Sequence, residues 1–252
     1  MNLHRYDVGI PLDGLREDAR RAMDGWDWTR GAFGHALSLP AAGDLHPYAR
    51  HRYQNHPCTG LLDRCPHLRA VFDLLKCEKV SFRLLRREPA SAYAWHTDRW
   101  KGAGVVRFQI PIVSDTDAFL VTTDYDHEDQ VREVGRVLTA DTFDTFAAAN
   151  AGRFRRHFLE PGWLHYFDTT RVHTLVNPGP GERVTLSFDL VANQWLRDQF
   201  PAIEAELGSD GRATLPRPGR IALAQAWALA QLHPLRTRAN RWRHQRRASQ
   251  TS

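Results

Sequence analysis

His96, Thr97 and Asp98 form a tripeptide in which two metal-capable side chains stand two residues apart. On an extended chain, positions i and i+2 point the same way, so an imidazole and a carboxylate could grip one ion. A second tripeptide of the same form, His127-Glu128-Asp129, sits in the polar run DYDHEDQ, which has no apolar alternation to hold it in a sheet and reads as a solvated loop. A further ligand must come from a distant strand. His173 in TRVHTLV is the strongest candidate, because it lies in a β-branched run just before a turn, with His165 and His157 as competitors. Two histidines and one carboxylate on one face leave three positions of an octahedral Fe(II) open. A catalytic Zn(II) tolerates the same ligands. What separates the two is a cation placed for an organic acid. Arg183 opens the run RVTLSFDL, ten residues beyond His173, and its guanidinium could hold a carboxylate in a bidentate fork.

These residues need a rigid frame. From residue 80 the chain reads as short extended runs, VSFRLLR, VVRFQIPIV, AFLVTT, WLHYFD, HTLV and RVTLSFDLV, separated by turn signals such as REPAS, SDTD, LEPG and NPGPGE. Many short strands without regularly interposed helices predict a Greek-key sandwich or jelly-roll barrel instead of a parallel α/β sheet. The catalytic core is expected over 80–195. Residues 1–79 read as a mixed helical scaffold, with helices over 12–25 and 69–76. The interval 125–158 interrupts the strand rhythm and reads as an insertion over one mouth of the barrel. After Trp195 a helical stretch and the linker GSDGRATLPRPG lead into a basic tail, so 196–252 forms a helical, Arg-rich end.

The chain has 252 residues, 42% of them apolar and 25% charged, which excludes disordered, collagenous and coiled-coil proteins and is enough for one substantial core. The net charge of +5 conceals an asymmetry: residues 211–252 hold nine arginines and no acid, whereas the first 210 carry 25 basic and 29 acidic side chains. The tail reads as a docking helix with a frayed end. Weak contact with an anionic surface is the alternative, and nucleic acid is a weaker one. Cys58, Cys65 and Cys77 are odd in number and lack CxxC spacing, and no signal peptide or membrane span is visible, so a reducing cytoplasm is expected.

His96-x-Asp98, RFQIPI at 107–112, EPGWLHYFDTTRVHTLVN at 160–177, and Arg183 ten residues after His173 together resemble the aspartyl/asparaginyl β-hydroxylase family of Fe(II)- and 2-oxoglutarate-dependent dioxygenases. The resemblance covers about 80–195. It implies a double-stranded β-helix (cupin-like) core with flanking helices, iron ligands at His96, Asp98 and His173, and the distal carboxylate of 2-oxoglutarate on Arg183. It also implies cosubstrate contacts at Arg107 and Gln109, the latter standing where the family commonly has His. The spacing of 77 residues from His96 to His173 exceeds the family norm, in keeping with the insertion. Vertebrate members lack the metal-binding carboxylate, so Asp98 aligns the chain with bacterial members acting on small molecules; it also favours hydroxylation, since related halogenases have a small residue there. The implied reaction uses O2 and converts 2-oxoglutarate to succinate and CO2 while an unactivated C–H is hydroxylated.

An amino acid, free, carrier-bound or acylated, is the expected substrate. Arg153, Arg155, Arg156 and His157 in GRFRRHF could receive its carboxylate, or could simply be a charged strand edge. Trp95 could line the pocket or belong to the core, and of Arg83 and Arg86, one could face inward. Hydroxylation of a lipid acyl or amino-lipid group, a non-catalytic metal- or ligand-binding barrel and a zinc hydrolase are the competing readings.

Overall fold

The computed structural model describes residues 3–24, 29–31, 34–46, 58–93, 95–98, 104–123, 148 and 152–207. The second His-x-Asp tripeptide, most of the expected insertion and the basic tail lie outside these residues.

Among the described residues, eleven strands form two antiparallel sheets. They are β1 (His4–Tyr6), β2 (Thr29–Gly31), β3 (Gly34–Ser38), β4 (Lys79–Arg87), β5 (Ser91–Ala92), β6 (Val105–Val113), β7 (Phe119–Thr123), β8 (Phe154–Phe158), β9 (Leu164–Tyr166), β10 (His173–Asn177) and β11 (Arg183–Val191). The major sheet runs β1-β9-β6-β11-β4-β3-β2 and the minor sheet β5-β10-β7-β8. From β4 onward the chain winds back and forth between the sheets, which is the double-stranded β-helix, or jelly roll. Every expected run from VSFRLLR to RVTLSFDLV is a strand. The last residues of the 125–158 interval are also a strand: β8 pairs with β7 at the edge of the minor sheet. Strands β1, β2 and β3, from the expected helical scaffold, extend the major sheet at both sides.

Strand β11 shows why the sheet has two unlike faces. Val184, Leu186, Phe188 and Leu190 enter the main apolar core; by the two-residue period, Arg183, Thr185, Ser187 and Asp189 face the barrel interior. All eight are buried. The apolar face is covered by α1 (Leu12–Met23) and α2 (Pro66–Leu74), which contribute Leu15, Ala19 and Ala22, and Leu68, Val71 and Phe72. Their spacing places each set on one helical stripe. The rings of Phe72, Phe82 and Phe188 pack in sequence, with centroids 5.1 and 5.5 Å apart. Buried Asp18 on α1 accepts the backbone N–H groups of His67 (2.6 Å) and Leu68 (2.9 Å), satisfying orphan donors in the first turn of α2. After β11 the chain enters the short helices α3 (Gln194–Gln199), capped by the Asn193 side chain, and α4 (Glu204–Leu207). No helix among the described residues is long and apolar enough to cross a membrane.

Candidate metal and anion site

Beyond β5, an isolated antiparallel bridge brings His96 to His173 on β10. The backbone N–H of His96 donates to the His173 carbonyl at 3.1 Å, and the His173 N–H donates back to the His96 carbonyl at 2.9 Å. Directly paired residues project to the same face, so the two imidazoles meet with ring centroids 4.3 Å apart. Asp98 is held two residues on by its N–H donating to the Thr169 carbonyl at 2.8 Å. One ligand atom from each of His96, Asp98 and His173 lies within 4.8 Å of the other two, and His173 Nε2 stands 3.9 Å from Asp98 Oδ2.

The protonation of His173 suits a ligand. Its Nδ1 bonds the Arg171 carbonyl at 2.8 Å, and because a carbonyl only accepts, Nδ1 carries the proton and Nε2 presents its lone pair to Asp98 and His96. Burial, followed by the neighbouring His96, pushes the imidazole pKa down to about 3, so the ring is neutral at physiological pH. Of the competing histidines, His165 turns Nε2 to the Glu160 carbonyl at 2.9 Å, and His157 Nε2 lies 2.9 Å from Thr122 Oγ1.

Behind Asp98 stands a buried ionic chain. Arg107 on β6 donates from Nη1 to Asp98 and from Nε (2.6 Å) and Nη2 (3.1 Å) to the two oxygens of Asp189 on β11. Ser81 on β4 completes it with a 2.7 Å hydrogen bond to Asp189. Register explains the meeting, because Asp189 is opposite Arg107 on one side and Ser81 on the other. Burial alone would raise the Asp189 carboxyl, but the charge and hydrogen bonds of Arg107, then Arg83 and Ser81, hold it below the usual carboxylate range. Arg107 is thus a bridge between two carboxylates. Asp189 was not singled out from the sequence, although its spacing of six from Arg183 already assigns it to the same strand face.

Arg183 has the opposite surroundings. It is completely buried; its Nε donates to Thr185 Oγ1 at 3.3 Å, while Nη1 and Nη2 are buried with no hydrogen-bond partner. Burial lowers its pKa to about 10, which leaves it cationic at neutral pH. The preceding turn is tightly built. Asn177 Nδ2 donates to the carbonyls of Glu88 and Gly181, both at 3.0 Å, and Gly181 N–H donates to Asp115 at 3.2 Å. A Cβ on Gly179 or Gly181 would stand 2.5 or 2.7 Å from the Asp115 carboxylate, so a side chain at either position would displace that carboxylate from the turn. Gln109 lies opposite Ser187 and His165, on the interior face with Arg107.

The remaining candidates divide by face. His173, Thr122 and Arg155 are in register across β10, β7 and β8, so Arg155 shares the face that carries the metal-capable imidazole, with His157 beside it. Arg156 faces the other way, its guanidinium 3.7 Å from the centroid of the Phe119 ring. Trp95 packs with Phe154, Phe119, Val121 and Val176, on the face opposite His96. Arg83 is on the interior face of β4, opposite Ser187, and Arg86 faces outward to an ion pair with Glu182. Arg153 is exposed at the start of β8.

Two imidazoles and a carboxylate converging on one point, with an orphaned buried guanidinium in the same barrel, fit a divalent metal together with an organic acid. No family profile matches the chain, and no curated protein matches it in sequence. Among solved structures, HygX from Streptomyces hygroscopicus with nickel and 2-oxoglutarate bound is similar at a TM-score of 0.49 and 11% identity, over 76% of this chain and 83% of that one. The non-heme alpha ketoglutarate dependent epimerase SnoN from nogalamycin biosynthesis gives 0.47 and 13%, over 75% and 78%. A Pseudomonas putida prolyl-4-hydroxylase gives 0.41 and 15%, over 76% and 92%. At these values the likenesses identify no family for the chain.

Proposed function

We propose that the protein is an Fe(II)- and 2-oxoglutarate-dependent dioxygenase of the aspartyl/asparaginyl β-hydroxylase kind, hydroxylating an unactivated C–H of an amino acid or amino-acid-derived small molecule. The observation that carries this reading is the pairing of the His96, Asp98 and His173 cluster with the buried, partnerless Nη atoms of Arg183. A zinc hydrolase uses such ligands without needing a cation buried for a second carboxylate.

Bound iron, 2-oxoglutarate and O2 would together supply the oxidising power for C–H hydroxylation, with succinate and CO2 as coproducts. The chain's own residues do the positioning. His173 offers a neutral nitrogen, His96 a second imidazole and Asp98 a carboxylate oxygen. Arg183 receives the distal carboxylate in a two-point fork, and Thr185 holds its Nε. Arg107, anchored by Asp189, restrains Asp98. The buried polar face of β11 keeps the site away from bulk water, which strengthens each charged contact. Arg155, exposed on the His173 face, is suited to a substrate carboxylate. The three free cysteines fit a reducing cytoplasm.

The test supplies Fe(II), ascorbate and 2-oxoglutarate under air with a panel of free, acylated and carrier-bound amino acids. Succinate should appear in step with a product heavier by one oxygen atom. Turnover that persists without O2 overturns the proposal.

A further inference from the structure

Arg183 is not the only buried group on the interior face with polar atoms left over. Ser187, wholly buried on the same face of β11, leaves Oγ without a hydrogen-bond partner, and His165 on β9, 1% exposed, leaves Nδ1 without one. His165 faces inward because Leu164 and Tyr166 on either side of it enter the apolar core. Register joins the two. Gln109 of β6 is directly opposite Ser187 on one side and His165 on the other, so the three side chains form a row across adjacent strands. The tautomer of His165 is fixed from outside that row. Its Nε2 lies 2.9 Å from the Glu160 carbonyl, which only accepts, so Nε2 carries the proton and Nδ1 holds a bare lone pair. Burial lowers the ring's pKa against the pull of that carbonyl, and the charges of Arg183 and Arg5 add to the lowering, so the ring is neutral at neutral pH in the ligand-free chain.

The row lies on the way from Arg183 to the metal ligands. Along the interior face of β11 the order is Arg183, Thr185, Ser187 and Asp189, and Asp189 anchors the Arg107 that holds Asp98. The bond from Arg183 Nε to Thr185 leans the guanidinium toward Ser187. An acid with its distal carboxylate on Arg183 and its other end at the metal therefore passes over Ser187 and its neighbours. The Ser187 hydroxyl meets an oxygen of that acid as a donor, whereas the lone pair on His165 repels one. A buried acceptor facing an anion is satisfied by taking a proton, which turns it into a charged donor. The other charged and titratable groups around His165 have roles of their own. Arg5, directly opposed on β1, is paired with Glu160, and Arg107, two positions from Gln109 on β6, is held by Asp98 and Asp189. Across the barrel the inner face of the minor sheet carries His173, Arg155 and His157. Of the described imidazoles in the barrel, His165 alone has a buried nitrogen with no partner.

We propose that Ser187 and His165 form a second contact for the keto acid, between Arg183 and the metal, and that His165 takes a proton from solvent onto Nδ1 when the acid binds. This rests on the dioxygenase reading. It assigns cosubstrate contacts to two residues given none above, and it couples occupancy of the site to pH: the complex is favoured while His165 can be protonated, and affinity falls as pH rises, by up to about tenfold per unit.

Calorimetric titration with 2-oxoglutarate of the full chain, loaded with Fe(II) under argon, tests it. Repeating each titration at one pH in Hepes and in Tris, whose heats of ionisation differ, counts the protons taken up. Wild type should take up a proton with each 2-oxoglutarate. His165→Gln should take up none, lose the pH dependence, and bind about tenfold to a hundredfold more weakly below neutral pH, the worth of a hydrogen bond to a charged group. Ser187→Ala should weaken binding about threefold to tenfold, the worth of a neutral hydrogen bond, with the proton count unchanged. The same proton uptake in His165→Gln as in wild type overturns the proposal, and so does unchanged affinity in both variants. Nitrogen-15 spectra of histidine-labelled wild type, with diamagnetic Zn(II) in place of iron, give a reading that needs no variant. One imidazole with a bare Nδ1 should become protonated at both nitrogens when 2-oxoglutarate is added; histidine signals that keep their tautomers also overturn the proposal. If the wild-type chain binds no 2-oxoglutarate, the dioxygenase reading itself fails; if it binds without proton uptake, only the present inference fails.

Discussion

The two ends of the interior polar face are built on contrary electrostatic plans. At the Asp189 end the described charges compensate one another within the fold: Asp98, Arg107 and Asp189 alternate in sign, and Ser81 occupies a remaining lone pair. At the Arg183 end the guanidinium is wholly buried and its Nη atoms have no hydrogen-bond partner. A buried charge compensated from within stiffens what it touches, whereas one left uncompensated raises the energy of the ligand-free protein and lowers it on binding. On the proposed function, the first end is architecture for the metal ligands and the second a receptor for an anion from outside.

The largest effect should come where the two ends share a purpose. His173→Ala removes a nitrogen ligand and should abolish iron retention, measured by metal content after gel filtration, together with turnover. Full metal occupancy in that variant would refute the assigned ligand set.

Asp189→Asn attacks the self-compensated end. It leaves Arg107 partly uncompensated and should cost about 3–5 kcal/mol of folding stability by urea denaturation, the usual loss when one partner of a buried pair is removed. The pH dependence has a definite sign. Because the folded-state pKa of Asp189 is depressed, its contribution is present above the unfolded value of about 4 and is lost as pH falls through the folded one. The variant should show a flatter acid limb than wild type; parallel limbs would show that Asp189 is not compensated as described.

Arg183→Leu attacks the open end and should behave differently. Iron stays bound, ligand-free stability is kept or increased, and 2-oxoglutarate binding weakens by about 2–5 kcal/mol. A variant as destabilised as Asp189→Asn would erase the distinction between the ends. The smallest effect separates the two faces of β8. Arg155→Ala should raise the KM for a carboxylate substrate about tenfold or less, while Arg156→Ala, on the Phe119 face, leaves it unchanged. Equal effects would place both outside substrate binding.

The strands from β4 onward were legible because alternation and turn residues are local signals, and all of the expected runs appear with small shifts of boundary. So was the His96, Asp98 and His173 cluster, since i and i+2 on an extended segment plus a histidine on a strand is a pattern of types and spacing. β8 was less so: FRRHF, with three cationic or polar residues among five, has the composition of an exposed edge, and pairing with β7 decides its state. The three N-terminal strands were hidden for a related reason, being short and joined to a sheet whose other strands lie far along the chain.

By itself, the order of residues determined most of the strands from β4 onward, which faces of them are polar, and that two imidazoles and a carboxylate were spaced to share an ion. Only the folded chain decided that Asp189 would meet Arg107 and that Arg87 would stand beside Arg183. Both meetings depend on the register between strands about 80 to 100 residues apart in sequence. Alternation tells which face a side chain takes, but register is the joint outcome of core packing and turn geometry across the whole sheet. A shift of one residue would have sent each of these charges to the other face.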